Sequence, residues 1–423
     1  MDKFIIQGGK TLQGTVRISG AKNASLALMP ATILAGGSYR FENTPRLRDV
    51  MTMMSLLESM GITFTFIENV LAVDSSNITN YEAPYEHVKK MRASIYVLGP
   101  LVSRFGFARV SLPGGCAWGP RPVNLHIEGL RKLGADIQLE GGYIVAKARK
   151  LKGARILFDI SSVGATGNIL MAASLAQGST TIENAAMEPE ITALAELLVR
   201  MGAHIDGIGT SRIEIEGVSA LHPANVSTIP DRIEAGTMLI AAAITGKPGA
   251  IVRAECCNPK HFGAVTSKLE DAGAKLTIGK DFVELEPPEE LRPVNVTTAI
   301  YSGFPTDMQA QWIALMSLAN GTSIITDTVY FDRFTHVPEL MRLGANITLK
   351  ENVATVIGQR SLAGAKVMST DLRASASLIL AALAAEGRTE VLRVYHIDRG
   401  YEQVEKKLQG LGADIERVAG EEF

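Results

Sequence analysis

One short stretch of the sequence combines a thiol, a guanidinium group and an imidazole, which are groups that can take part in catalysis. Residues 111–126, Ser-Leu-Pro-Gly-Gly-Cys-Ala-Trp-Gly-Pro-Arg-Pro-Val-Asn-Leu-His, bring Cys116, Arg121 and His126 close together along the chain. The prolines and glycines exclude a regular helix or a central strand, so we predict a loop. A cysteine reacts as its thiolate, which a neighbouring Arg or protonated His favours. Cys116 is therefore a candidate reactive thiol, and the alternative is a cysteine that only fills space.

The composition argues against several classes of protein. The chain has 423 residues, with 42 Lys and Arg against 44 Asp and Glu, so its formal net charge is −2. This charge argues against nucleic acid as the main partner, because such binding needs a basic surface. The sequence has no apolar run long enough to span a membrane, no signal-peptide segment, and neither a disulfide framework nor a zinc pattern. We therefore expect a cytoplasmic protein of two or more domains.

A phrase of the form Leu-x-x-x-Gly recurs along the whole chain. The glycines that end it are Gly61, Gly134, Gly202, Gly273, Gly344 and Gly412. Each glycine follows a helix-like run and precedes alternating residues that are typical of a strand, which is where a glycine ends a helix. Recurrence at a nearly constant spacing indicates a fold built from six similar units.

A second recurring segment predicts one buried helix in each unit. It occupies residues 22–36, 92–106, 164–178, 232–246, 307–321 and 373–387. These segments are rich in Ala, Ser and Leu on all sides, which is typical of a helix enclosed by protein. Strand-like residues follow each segment, so we predict an α+β (α/β) fold whose six units form two domains of three. We also predict a pair of strands within residues 1–21 and a linker at residues 217–231.

The starts of the predicted buried helices carry charged residues. Lys22, Arg92, Arg232 and Arg373 are basic, and Asp307 is acidic. Helix N-termini attract anions through their free N–H groups and the helix dipole, and a basic side chain adds to that attraction. We expect these helix ends to line a cleft that receives a multiply anionic substrate. Helix starts that are merely solvated are the alternative.

Three carboxylates are candidate bases: Asp307, Asp371 and Asp398. A helix cap or a salt-bridge partner is the alternative role for each of them. The sequence has no P-loop, Rossmann fingerprint, zinc-protease motif or nucleophile elbow. Any phosphate must therefore be bound by Lys and Arg side chains and by helix ends.

Several phrases of the sequence resemble the enolpyruvyl transferase family, and within it the members that act on UDP-N-acetylglucosamine. The resemblance covers the whole chain and rests on residues 19–23, 91–94, 112–116, 121–123, 304–311 and 370–375. It implies two inside-out α/β barrel domains, built from six βαβαββ repeats, with a ligand cleft between the domains. Domain I would comprise residues 1–21 with 230–423, and domain II residues 22–229.

The resemblance also implies an activity. The enolpyruvyl group of phosphoenolpyruvate would be transferred to the 3-hydroxyl of UDP-N-acetylglucosamine by addition and elimination, with release of phosphate. This is the first committed step of peptidoglycan precursor synthesis, and it would need neither a metal nor another cofactor. Two alternatives are the sister reaction of 3-phosphoshikimate 1-carboxyvinyltransferase and a non-catalytic repeat scaffold. The loop with Cys116 favours the amino-sugar reaction over its sister.

Roles for individual residues follow from the same resemblance. Cys116 would protonate the methylene carbon of phosphoenolpyruvate and can form a covalent adduct with it, while Asp307 would be the base for the sugar hydroxyl. Phosphoenolpyruvate would be held by Lys22, Asn23, Arg121 and Arg399, of which Lys22 and Arg399 are also counted as catalytic. The expected contacts of UDP-N-acetylglucosamine are Arg92, Arg121, Pro122, Val123, Asn124, Leu125, His126, Ser162, Val163, Gly164, Asp307 and Val329. Asp371, Arg373 and Arg333 would support the closed cleft.

Two departures from the family pattern concern the nucleotide. Ile160 stands where some members have a lysine, which removes one expected contact. Residues 330–333, Tyr-Phe-Asp-Arg, replace the usual Phe-Glu-Asn-Arg and change the surroundings of the uracil. Neither departure touches the expected acid or base.

Overall fold

The computed structural model describes residues 2–89, 91–112 and 123–419. The chain divides into two compact units: Met1–Ser19 with Pro230–Phe423, which we call unit 1, and Gly20–Ile229, which we call unit 2. Each unit has its own core of buried apolar side chains.

Unit 1 begins with the strands β1 Asp2–Gln7 and β2 Gly14–Arg17. The strands of unit 2 are β3 Ser38–Glu42, β4 Thr63–Ile67, β5 Val70–Asp74, β6 Glu82–Ala83, β7 Phe107–Ser111, β8 Asp136–Glu140, β9 Tyr143–Lys147, β10 Arg155–Leu157, β11 Ser179–Glu183, β12 His204–Asp206, β13 Arg212–Glu216 and β14 Val226–Ser227. Its α-helices are α1 Lys22–Ala31, α2 Arg48–Glu58, α3 Tyr85–Val88, α4 Leu98–Phe105, α5 Asn124–Lys132, α6 Val163–Ala173 and α7 Pro189–Arg200. Short 3₁₀ helices occupy Thr32–Leu34 and Arg92–Val97.

The remainder of unit 1 follows residue 230. Its strands are β15 Val252–Glu255, β16 Lys275–Ile278, β17 Phe282–Glu286, β18 Val296–Thr297, β19 Thr322–Thr326, β20 Asn346–Lys350, β21 Val353–Ile357, β22 Lys366–Met368, β23 Arg388–Leu392 and β24 Asp414–Ala419. Its α-helices are α8 Arg232–Thr245, α9 Gly263–Asp271, α10 Gln309–Met316, α11 Val337–Arg342, α12 Leu372–Ala384 and α13 Val404–Gly410. Short 3₁₀ helices occupy Pro259–Phe262, Thr306–Met308 and Val394–Arg399.

The six sheets formed by the described residues share one strand pattern. In each sheet the first strand is parallel to the second, and the third strand is antiparallel to both of its neighbours. The orders are β14-β3-β5-β4, β6-β7-β9-β8 and β10-β11-β13-β12 in unit 2, and β2-β15-β17-β16, β18-β19-β21-β20 and β22-β23-β1-β24 in unit 1. This α/β architecture of repeated units confirms the predicted fold class.

The Ala- and Ser-rich helices lie inside the units, as the sequence predicts. In α12, every residue from Leu372 to Leu383 is buried. Its serines satisfy their own hydroxyls, since Ser375 donates to the carbonyl of Asp371 at 2.7 Å and Ser377 donates to that of Ala374 at 2.8 Å. Small side chains and internally bonded hydroxyls allow a helix to be enclosed without unpaired polar groups. In unit 1, α12 packs against both α10 and α8.

The six glycines of the recurring Leu-x-x-x-Gly phrase end helices, as predicted. All of them have a positive φ, between 91° and 104°. Residues with a side chain rarely adopt this left-handed conformation, whereas glycine adopts it readily. The chain then enters a strand such as β8 or β20, so each glycine marks the same junction in its unit.

One local prediction was wrong. Residues 1–21 do contain two strands, but these strands do not pair with each other. β1 lies between β23 and β24, whereas β2 pairs with β15 in another sheet. The intervening segment bonds elsewhere instead of turning back: Gly9 N–H donates to Leu383 O at 2.9 Å, and Gln13 N–H donates to Leu411 O at 3.0 Å.

Candidate functional site

The expected base is held between two arginines in unit 1. Asp307 lies in the 3₁₀ turn that leads into α10. Arg333 Nη1 is 2.7 Å from Asp307 Oδ1, and Arg373 Nη2 is 2.8 Å from Oδ2. The Arg373 side chain is only 5% exposed, whereas that of Asp307 is 25% exposed. The two arginines therefore fix the position of the carboxylate, while its exposed part can still contact a ligand.

The hydroxyl of Tyr401 joins three buried helices behind this pair. It accepts hydrogen bonds from Gln311 Nε2 in α10 and from Arg373 Nη1 in α12, both at 3.2 Å. Thr237 Oγ1 in α8 lies 2.8 Å away and itself donates to the carbonyl of Ile233, so Tyr401 is the donor to Thr237. Burial raises the pKa of Tyr401, which keeps the hydroxyl protonated. The network therefore has a defined donor and acceptor at each contact.

Charge and burial act in opposite directions on Arg373. Burial would lower its pKa, but the charge of Asp307 raises it above the ordinary value for arginine. Gln311 supports the same pair, because its Nε2 also donates to the main-chain carbonyl of Asp307 at 3.0 Å. The sequence analysis did not predict the roles of Thr237, Gln311 and Tyr401. Gln311 could have been recognised as a candidate, because it is a polar side chain inside an otherwise apolar helix.

The other two candidate bases take structural roles. Asp371 caps α12, since its Oδ1 accepts from the N–H groups of Arg373 at 2.7 Å and Ala374 at 3.2 Å. Asp398 pairs with Arg417, whose Nη1 donates to Asp398 Oδ2 at 3.0 Å. Arg417 also pairs with Glu405 at 3.0 Å. These are the alternative roles that the sequence allowed for Asp371 and Asp398.

A buried aspartate, Asp327, orders the loop that carries Val329 and Arg333. Its Oδ1 accepts from the N–H groups of Val329 at 3.0 Å and Tyr330 at 2.8 Å, and its Oδ2 accepts from Thr306 Oγ1 at 2.6 Å. Thr306 in turn accepts from Arg333 Nη1 at 3.3 Å. Val329 is exposed at the surface of unit 1. Arg399, at the end of Val394–Arg399, is partly exposed.

In unit 2, Lys22 and Asn23 begin α1 as predicted. Lys22 Nζ lies 3.5 Å from Oδ2 of Asp49, which is in the first turn of α2. The expected acid Cys116 lies outside the described residues, as do Arg121 and Pro122. Val123 directly precedes α5, and Asn124 and Leu125 begin it.

His126, Arg92 and the start of α6 come together in unit 2. His126 Nδ1 lies 2.9 Å from Asn168 Nδ2. Burial, and then the charge of Arg92, lower the pKa of His126 to about 4, so the ring is neutral at pH 7. A Cβ at Gly164 would lie 3.1 Å from the ring atoms Cε1 and Nε2. Ser162 caps α6 by accepting from Ala165 N–H at 3.3 Å.

The departures from the family pattern lie on the surface. Ile160 is 70% exposed and Phe331 is 60% exposed. Among the described residues, no cluster of His, Cys, Asp and Glu could hold a metal ion. Within the same residues, no helix has the length and apolar character that a membrane span requires.

The amino-acid sequence matches a known family over most of its length. A family model described as EPSP synthase (3-phosphoshikimate 1-carboxyvinyltransferase) matches residues 6–408. The chain is 59% identical over 426 residues to the UDP-N-acetylglucosamine 1-carboxyvinyltransferase of Chloroherpeton thalassium, covering 100% of this chain and 99% of that one. It is 55% identical over 418 residues to the protein of the same name from Geotalea daltonii, covering 99% of this chain and 100% of that one.

Solved structures agree in fold. The enolpyruvyl transferase NikO from Streptomyces tendae superposes with a TM-score of 0.89 at 28% identity, covering 99% of both chains. The EPSP synthase of Acinetobacter baumannii superposes with a TM-score of 0.75 at 20% identity, covering 99% of this chain and 100% of that chain. The second likeness concerns the fold alone.

Proposed function

We propose that the protein, which belongs to the EPSP synthase family of enolpyruvyl transferases, transfers the enolpyruvyl group of phosphoenolpyruvate to the 3-hydroxyl of UDP-N-acetylglucosamine. Relatives that are 54% to 59% identical over nearly the whole chain carry the name of this activity. The structural observation that carries the proposal is the Asp307 carboxylate, held by Arg333 and Arg373 and still partly exposed. The product would be a precursor of peptidoglycan.

The chemistry consists of an addition followed by an elimination. In the addition, the sugar oxygen bonds to C2 of phosphoenolpyruvate, its proton passes to Asp307, and C3 receives a proton from the Cys116 thiol. In the elimination, C3 gives a proton back to the Cys116 thiolate, the double bond re-forms and phosphate leaves from C2. The steps involve proton transfer without oxidation or reduction, so the reaction needs no redox cofactor. A positioned acid and a positioned base are the groups that such steps require.

Asp307 suits the role of base because of how it is held. Its two ion pairs come from different elements, the loop after β19 and the start of α12, so the carboxylate has little freedom to rotate. A carboxylate can accept more than one hydrogen bond on each oxygen, so the two ion pairs do not by themselves exclude a hydrogen bond from a sugar hydroxyl. Fixed orientation of a reacting group lowers the entropic part of the barrier.

Phosphoenolpyruvate carries a carboxylate and a phosphate, and both need cations. Lys22 and Asn23 lie at the N-terminus of α1, where helix N–H groups add to the charge of the lysine. We assign Lys22, Asn23, Arg121 and Arg399 to this substrate. Basic groups held by the fold can stabilise the charge that develops on the leaving phosphate.

The nucleotide sugar is assigned to Arg92, His126 and the first residues of α6 in unit 2. The capped helix start at Ser162 and the charge of Arg92 suit the diphosphate. Further assigned contacts are Arg121, Pro122, Val123, Asn124, Leu125, Val163, Gly164, Asp307 and Val329. Because both substrates are phosphorylated and do not cross membranes unaided, we also propose that the protein acts in the cytoplasm.

Phosphate release from phosphoenolpyruvate tests the proposal. We expect release that depends on UDP-N-acetylglucosamine and falls to background in Cys116→Ala and Asp307→Asn. Cys256→Ala is the matched control, because Cys256 is a free and partly exposed thiol in unit 1 that has no assigned role. Release with shikimate 3-phosphate instead would assign the sister reaction. Release with neither acceptor would refute an enolpyruvyl transfer to either substrate.

A further inference from the structure

We propose that Asn168 is a positioning residue that holds His126 as the tautomer protonated on Nε2, so that Nε2–H can donate to a phosphate oxygen of the nucleotide sugar. The identity of the ligand rests on the proposed function. The tautomer does not, because it follows from contacts within unit 2.

Two backbone groups fix the orientation of the Asn168 amide. Asn168 is fully buried in α6. Its Oδ1 accepts from Gly99 N–H at 2.7 Å, and its Nδ2 donates to the carbonyl of Ile95 at 2.8 Å. A flipped amide would place oxygen against the Ile95 carbonyl and NH₂ against the Gly99 N–H, which would leave buried groups unpaired. The approach also needs glycine, because a Cβ at Gly99 would lie 2.5 Å from Asn168 Oδ1.

The amide orientation then determines where the proton of His126 resides. The second N–H of Asn168 Nδ2 faces His126 Nδ1 across 2.9 Å. A donor on one side of a short contact requires an acceptor on the other, so Nδ1 must present its lone pair. A neutral imidazole with a bare Nδ1 carries its proton on Nε2. Protonating the ring would set two donors against each other, which agrees with the low pKa of about 4 for His126.

The surroundings of Nε2 indicate what its proton is for. His126 is 6% exposed, and the hydrogen bond that its ring makes to Asn168 uses Nδ1 and not Nε2. The atom lies beside Gly164 in the first turn of α6, where Ser162 caps the helix. The helix N–H groups and Arg92 make this place attractive to an anion. A neutral N–H donor beside them fits a phosphate oxygen of a nucleoside diphosphate.

The tautomer can be read directly by nitrogen NMR of the histidine rings in substrate-free protein at pH 7.5. The signal of His126 is identified by its loss in His126→Gln. We expect a pyrrole-type Nε2 and a pyridine-type Nδ1 in wild type. Asn168→Asp replaces the donor by a carboxylate, so the proton should move to Nδ1 and the pattern should invert. A wild-type ring protonated on Nδ1 overturns the proposal, even if the variant fails to fold.

A binding experiment tests the role of the Nε2 proton. Addition of UDP to wild type should shift the Nε2 resonance, and Asn168→Asp should weaken UDP binding at least about tenfold, the effect of one hydrogen bond to a charged group. Asn184→Asp is the matched control, because Asn184 is a partly buried amide of unit 2 whose Nδ2 donates to Phe158 O at 2.9 Å, away from His126. An unshifted Nε2 resonance with bound UDP would overturn the ligand contact. UDP binding without enolpyruvyl transfer would contradict the proposed function alone.

Discussion

Replacement of Tyr401 by phenylalanine tests whether the buried network positions Asp307. The change removes one oxygen atom and leaves the ring, so packing around the side chain is preserved. It removes the partner that receives hydrogen bonds from Gln311 and from Arg373. It also removes the donor to Thr237. Arg373 would then keep its ion pair with Asp307 but lose its hydrogen bond to Tyr401, and the pair could rotate together.

The size of the effect follows from which groups keep a partner. Gln311 retains the carbonyl of Asp307, and Thr237 retains that of Ile233, so each loses a neutral contact of about 1 kcal/mol or less. Arg373 is a buried cation, and its hydrogen bond is of the charged type, about 1.5–3 kcal/mol. We expect Tyr401→Phe to lower the free energy of unfolding by about 3 kcal/mol. We also expect kcat to fall about tenfold, since a loss of 1.4 kcal/mol in the transition state has that effect.

The assay compares Tyr401→Phe with Ser377→Ala. Ser377 is also fully buried in α12, and its hydroxyl makes one neutral bond, to the carbonyl of Ala374 at 2.8 Å. Urea titration should show a loss of about 1 kcal/mol or less for Ser377→Ala, with unchanged kcat. For Tyr401→Phe, kcat should fall while KM for UDP-N-acetylglucosamine stays within about twofold. Equal losses of stability in both variants, together with wild-type kcat in Tyr401→Phe, would refute the reasoning.

Three further outcomes follow from the described contacts. Asp307→Asn should abolish phosphate release and lower stability in thermal denaturation by about 3–5 kcal/mol, because it leaves a buried arginine without its anion; unchanged stability would contradict the ion pairs. Burial lowers the pKa of both His126 and His336 from 6.5 to about 4, so both bind protons more readily when unfolded. Keeping these two rings neutral therefore stabilises the fold fully above pH 6.5, and this stabilisation is lost as the pH falls toward 4, by about 3 kcal/mol for each ring. A free energy of unfolding that does not change between pH 6.5 and pH 4 would contradict this expectation. Gly164→Ala should raise KM for UDP-N-acetylglucosamine several-fold because its Cβ would press on His126 at 3.1 Å, whereas Gly263→Ala, with no atom within 4 Å of its Cβ, should not.

The repeat explains why part of the site could be predicted from sequence. Asp307 and Arg373 occupy equivalent positions in successive units, and equivalent positions in a three-unit domain converge on one end. Their ion pair, with 2.8 Å between Arg373 Nη2 and Asp307 Oδ2, shows that the two helix starts do meet. The network behind them could not be predicted. Tyr401 meets Thr237 across 164 positions of sequence, and Tyr401 belongs to neither recurring segment.

Asn168 and Asp327 show the same limit. Both are buried polar side chains whose hydrogen-bond partners are backbone groups elsewhere in the chain. These partners are Gly99 and Ile95 for Asn168, and Val329 and Tyr330 for Asp327. A sequence pattern identifies buried positions but does not identify the backbone atoms that meet there. The sequence likewise does not show which strands pair with each other. The sequence pattern identified β1 and β2 correctly, but strands that follow each other in sequence are often, though not always, neighbours in a sheet.

The pairing of β1 has a consequence for protein synthesis. Residues 2–7 leave the ribosome long before their partners, because both strands that flank them lie between residues 388 and 419. Unit 2 is contiguous in sequence, and every sheet in it draws its strands from residues 38–227, so it can complete its pairing while the rest of the chain is being made. β1 meanwhile exposes two open edges and the apolar side chains of Phe4 and Ile6, which is the condition under which nascent chains associate wrongly. Every nascent chain that ends before residue 388 carries this strand without its partners.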